Sequence, residues 1–90
     1  MKIVEVQINK IQTGKVVAQA KINFGWFWLA GFKVVDGGES KKYVTPPSYK
    51  SSFGWKALFT TVKKSDWKEI QSRILEAYEE WELEESTRDM

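Results

Sequence analysis

The chain of 90 residues contains no cysteine and no histidine. Those two absences exclude disulfides, thiolate nucleophiles, Cys/His zinc sites and any Ser-His or Cys-His dyad. Without an imidazole, general acid–base chemistry at neutral pH would need a strongly shifted Glu or Lys. A phosphate-binding loop is missing too, because Gly37-Gly38 lacks the glycine spacing and the Lys-Ser/Thr pair that such a loop needs. No paired carboxylates flank an evident cleft: Asp36 falls on a turn, and Asp66 and Glu69 on a helix start. The expectation is a protein that is not an enzyme, with no catalytic residue, metal, cofactor or small-molecule substrate. No run of about 18 apolar residues occurs, so no membrane span is expected. The opening Met1-Lys2-Ile3-Val4-Glu5 carries early charge and no apolar h-region. No signal peptide is therefore expected, and a cytoplasmic location follows by default.

Ninety residues make one domain, and so small a domain has a marginal core. Disulfides and metals being excluded, oligomerisation is the remaining way to reinforce it. The net charge of +2 hides a split. Residues 1–75 carry thirteen Lys/Arg against five Asp/Glu, a balance of +8, and residues 76–90 carry one Arg against seven acids, a balance of −6. A basic body suggests a polyanionic partner, and a solvated lysine surface with an acidic end is the plain alternative.

Periodicity supplies the elements. Val4, Val6 and Ile8 alternate with Glu5, Gln7 and Asn9, the period of a half-buried strand. Thr13-Gly14 reads as a turn, and residues 15–24 alternate again, so the two segments predict an antiparallel hairpin. After Gly25, residues 26–32 are apolar at every position, which predicts a strand that is central in a covered sheet or part of an interface. Asp36-Gly37-Gly38 reads as a tight turn into a short strand over 42–45, which Pro46-Pro47 ends. Residues 48–54 read as an exposed loop and 55–62 as another strand. A helix is expected from Ser65 or Asp66, with Asp66 and Glu69 at capping-box spacing. Trp67, Ile70, Ile74, Ala77, Tyr78 and Trp81 form its apolar stripe. Glutamates crowd its C-terminal half, opposing the helix dipole, so fraying is expected past Trp81. The predicted class is α+β: an antiparallel sheet built from hairpins with one C-terminal helix packed on it, a single domain over 1–85 and a disordered tail over 86–90.

Two constellations remain. Lys41, Lys42, Lys50, Lys56, Lys63 and Lys64, joined by Lys68 and Arg73, supply the several cations that phosphate neutralisation requires. Tyr49 beside Lys50 could stack a base while the amine meets phosphate. The bland reading makes these lysines solubility residues and Tyr49 a cap on the core edge. Arginine occurs only at 73 and 88, which points to backbone contacts of low sequence specificity, since guanine readout is mostly an arginine contact. Trp26, Phe27 and Trp28 are candidates for a dimer interface, with plain core or a stacking platform as alternatives. A non-enzymatic protein-interaction module using the aromatic strand 26–32 is the competing function. The glutamates past Ala77 are first of all a solvated face, although residues 82–90 could shield the basic body.

The ordered set resembles the SpoVG family, the stage V sporulation protein G family of septation regulators. Its members begin with a short hairpin. An apolar strand follows, ending in a Val-(Ile/Val)-Asp-Gly turn, and then a Phe-Val strand, a Met-Pro-Ser-Lys-Arg loop, a further strand and a helix with an acidic end. The counterparts here are Val34-Val35-Asp36-Gly37, Tyr43-Val44, Pro47-Ser48-Tyr49-Lys50 and the helix over 67–81, so the likeness covers residues 3–85. Two departures stand out: Tyr49-Lys50 replaces the family's Lys-Arg, and Ala57 and Thr60 replace an acid and a histidine. The resemblance implies a homodimer that binds DNA, and in some members RNA, and that modulates gene expression, cell division and sporulation in bacteria. On that reading the nucleic-acid contacts are Lys41, Lys42, Tyr49, Lys50, Lys56, Lys63 and Lys64.

Overall fold

The alternating segments fold as the first two strands, β1 (Glu5–Thr13) and β2 (Val16–Asn23). The two-residue turn between them is possible because Gly14 takes φ 60°, a conformation that costs glycine little. β3 (Trp28–Asp36) and β4 (Lys42–Thr45) follow, and all four strands pair antiparallel in the order β1-β2-β3-β4. A separate two-stranded sheet, β5 (Ser48–Ser51) with β6 (Gly54–Ala57), leads to the helix α1 (Lys64–Arg88). This computed structural model describes residues 2–38 and 41–88, the last three by backbone alone. The α+β class is as expected, with six strands rather than five among the described residues.

Helix α1 covers one face of the four-stranded sheet. Ala18, Ala20 and Ile22 of β2, Phe32 and Val34 of β3 and Val44 of β4 meet Ile70, Ile74 and Tyr78 of α1 in the buried core. Val6 and Ile8 pack at its margin, while Glu5, Gln7 and Asn9 alternate onto the other face.

The unbroken apolar run at 26–32 is resolved by a bulge. Ala20 pairs with Phe32 and Lys21 with Ala30, leaving Gly31 as the extra residue at φ 103°. Leu29 therefore opposes Ile22 on the helix side, as Phe32 opposes Ala20, and Trp28, Ala30 and Lys33 go to the outer face. Trp26 and Phe27 are not in the strand at all. They lie in the β2–β3 connection, where the Phe24 amide donates to the Phe27 carbonyl (3.0 Å) and the Gly25 amide to the Asn23 side chain (2.8 Å). Gly31 also admits Pro47: a methyl group at Gly31 would stand 3.2 Å from the Pro47 Cβ. Gly31→Ala should thus combine a strained backbone with a close contact, lowering stability by about 1–3 kcal/mol in a urea melt. Gly14→Ala, with open space around it, meets only the backbone term.

Three further expectations are corrected. Residues 48–54 are not a loop but most of the β5–β6 hairpin, whose turn is held by the Ser51 hydroxyl donating to the Gly54 carbonyl (2.8 Å). The strand expected over 55–62 ends at Ala57: Leu58 still donates to the Pro47 carbonyl (2.7 Å), and the chain then leaves the hairpin to place Phe59 on the core. The helix begins at Lys64, putting Asp66 in its first turn rather than before it, and it does not end near Trp81. Residues 86–88 of the expected tail continue the helix, and 89–90 lie outside the described residues. The dipole term opposing C-terminal acids is only about 0.3–1 kcal/mol each. It is offset here by the packing of Leu75, Tyr78 and Trp81 on the core; Lys41 and Lys42 line one groove with Glu79 and Glu82, and Lys10 another with Glu82 and Glu85.

Candidate nucleic-acid interface

The expected contacts fall at two ends of the molecule. At one end the β5–β6 hairpin presents Tyr49, Lys50 and Lys56, all exposed. Pairing decides which of them can cooperate. Tyr49 opposes Lys56, and Lys50 opposes Trp55, so the hairpin places Tyr49 and Lys50 on opposite faces. The lysine that can act with the Tyr49 ring is Lys56, not its chain neighbour. The Lys56 Nζ also lies 5.9 Å from the Phe53 ring centroid at the hairpin tip. Exposed Lys63 and Lys64 stand close by at the start of α1, where the positive end of the helix dipole adds to their charge. Thr61 stabilises this entry by donating its hydroxyl to the Lys63 carbonyl (2.9 Å).

Lys41 and Lys42 sit elsewhere. Lys42 begins β4 and Lys41 precedes it, on the side of the acidic half of α1, in a groove shared with Tyr43, Leu75, Tyr78, Glu79 and Glu82. The Lys42 Nζ lies 5.9 Å from the Tyr78 ring. Burial, a hydrogen bond to the Glu82 carboxylate and the negative charges of Glu82 and Asp36 push the Tyr78 phenol up to about 12 from its ordinary 10.0. The fold thus favours the protonated phenol. Its contribution to stability is complete below pH 10 and is lost as pH rises through about 12. Tyrosinate absorbance should show a late step near pH 12 that Tyr78→Phe abolishes.

A chain of aromatic rings links the core to the hairpin end. Trp67 stacks with Phe32 (6.4 Å between centroids), Phe32 meets Phe59 edge-on (5.7 Å), Phe59 approaches Phe24 (6.4 Å), and Phe24 stacks on Phe27 (5.2 Å). Trp26 caps the series edge-on to Phe27 (4.7 Å) and is 87% exposed. Leu58 and Val62 are exposed as well. An apolar groove of about 390 Å³ runs between β4 and the start of α1, lined by Val44, Pro46, Ala57, Phe59 and Trp67 with Lys64 at its rim. Of the trio expected at an interface, Trp26 and Phe27 therefore belong to this loop, and Trp28 to the outer sheet face.

Residues outside the expected set also carry cation–aromatic contacts. The Lys21 Nζ lies 4.9 Å from the Trp28 ring, and the Lys33 Nζ 5.9 Å from the Trp55 ring. Alternation does place Lys21 on the polar face of its strand, but its partner depends on the bulge at Gly31, which no spacing announces. Lys33 meets Trp55 only because the hairpin folds back beside β3.

An antiparallel sheet with one covering helix, an exposed lysine-bearing hairpin and a free aromatic loop defines a small α+β protein built around surfaces. The SpoVG family profile matches residues 1–80, and the chain belongs to that family, among small regulatory proteins of sporulation and septation. No curated protein matches the chain.

Proposed function

We propose that this SpoVG-family protein is a non-enzymatic, cytoplasmic, nucleic-acid-binding regulator that acts as a homodimer. The observation that carries the reading is the separation of charge. Eight of the twelve acids lie on α1, most of them in its C-terminal half, whereas Lys50, Lys56, Lys63 and Lys64 gather at the opposite end beside exposed aromatic rings. Phosphates approaching that end meet lysines first, and backbone contacts of this kind carry affinity without much sequence information. Lys41 and Lys42 contribute least, because Glu79 and Glu82 share their groove. The homodimer contact centres on Trp26 and Phe27, and half-exposed Val4, beside Gly25, can extend it.

Fluorescence anisotropy of labelled DNA and RNA, single- and double-stranded, tests the reading. Binding at low salt is expected, weakened several-fold by Lys50→Ala and by Lys56→Ala. Absence of binding to every one of these at low salt would overturn it and leave the aromatic loop 24–27 as a docking site for a protein partner.

A further inference from the structure

The face of the four-stranded sheet that α1 leaves open has a composition of its own. Its β1 and β2 positions are Glu5, Gln7, Asn9, Gln19, Lys21 and Asn23 by register, so only Glu5 there is acidic. The glutamates of α1 lie behind the sheet. On this face two tryptophans are partly or largely exposed, Trp28 at 43% and Trp55 at 67%, and each carries a lysine amine above its ring, Lys21 at 4.9 Å and Lys33 at 5.9 Å. Lys50 opposes Trp55 across the hairpin, adding a third cation to the same side. Trp28 and Lys33 lie five positions apart along β3, about 15 Å of strand.

Resting on the nucleic-acid reading above, we infer that this open face is a stacking platform for a single-stranded polynucleotide, with Trp28 and Trp55 taking unpaired bases and Lys21, Lys33 and Lys50 the phosphates between them. The chemistry selects the strand state. An exposed ring beside a lysine offers a π-face to any base and a charge to the phosphate next to it, and an unpaired base is free to use both. A duplex keeps its bases stacked on one another and presents mainly phosphate to a flat sheet. Glutamine and asparagine side chains between the lysines supply donors and acceptors without adding negative charge. DNA and RNA share the base and phosphate chemistry on which the site depends.

The test uses the full chain with labelled oligo-dT and oligo-U, and a duplex as the third arm. Trp28→Ala and Trp55→Ala should each weaken single-strand binding about 5- to 150-fold, the range carried by base–aromatic stacking, and change duplex binding little. Trp28→Phe and Trp55→Phe should recover much of the loss. Circular dichroism checks that each variant is folded, and Lys33→Gln gives a second route should a tryptophan variant fail. If both tryptophan variants bind single strands like the parent while Lys56→Ala and Lys63→Ala do not, this inference falls and the nucleic-acid reading stands. If the parent binds no nucleic acid, both fall. If Trp28→Ala and Trp55→Ala each turn a sedimenting dimer into a monomer, and oligonucleotide does not displace the second copy from the parent, the face is a dimer contact and the platform is overturned.

Discussion

Phe32→Ala is expected to lower folding stability by about 3–5 kcal/mol. Phe32 has no exposed surface and sits where every layer of the fold meets. It opposes Ala20 on β2, takes Phe59 edge-on from the chain leading out of the hairpin, and stacks on Trp67 in the first turns of α1. The alanine would remove both ring contacts and leave a void between two rigid surfaces that cannot both close on it. A domain of this length holds only about 5–13 kcal/mol in total. The variant should therefore show a much lower urea midpoint, and a melting temperature lower by roughly 15–30 °C. Phe59→Ala, at a half-buried position in the same ring series, should cost less. Equal losses would mean that the rings act as one unit rather than by burial.

That same residue shows how far the sequence could be read. Ile70, Ile74 and Tyr78 were visible as a helix stripe because helical spacing reports which side faces the core, whereas Phe32 lay in a run apolar at every position, which assigns no side. The hairpin β1–β2 and the single C-terminal helix followed from such patterns and from the turn glycine at Gly14, and the unbroken apolar run left β3 as either a central strand or an interface. Of the β5–β6 hairpin, only β6 was read, as the start of a strand over 55–62; β5, Ser48–Ser51, has little apolar alternation to reveal it. The two strands are held instead by the Ser51 turn and by the Leu58–Pro47 hydrogen bond, which are properties of geometry. The helix ran past Trp81 for a related reason: the core on which Tyr78 and Trp81 pack is built from strands distant in sequence. The candidate site suffered most from pairing. Tyr49 and Lys50 look like partners in the chain, but antiparallel register gives Tyr49 to Lys56 and Lys50 to Trp55. Lys21 and Lys33 stood outside the cationic set because their rings arrive through a bulge and a second sheet.

Salt should separate the two functional readings by a wide margin. If about four lysines at the hairpin end neutralise phosphates of a single strand, the slope of log K against log salt is near −2.8, so raising salt from about 50 to 200 mM weakens binding about 50-fold. Lys50→Ala should make that slope shallower by about 0.7 as well as reduce affinity, because one counterion fewer is released. Lys42→Ala is the informative contrast. Its amine lies beside Tyr78 in the groove that holds Glu79 and Glu82, so its loss should leave the slope near that of the parent. A protein partner docked on Trp26 and Phe27 behaves differently, since contact between apolar surfaces is barely screened and the same change of salt would move its affinity little. A steep slope that Lys50→Ala reduces and Lys42→Ala does not would assign binding to the hairpin end. A slope that falls equally with both would mean that the glutamates of α1 release Lys42 to the ligand, and the acidic half of the helix would then be a competitor for the same cations.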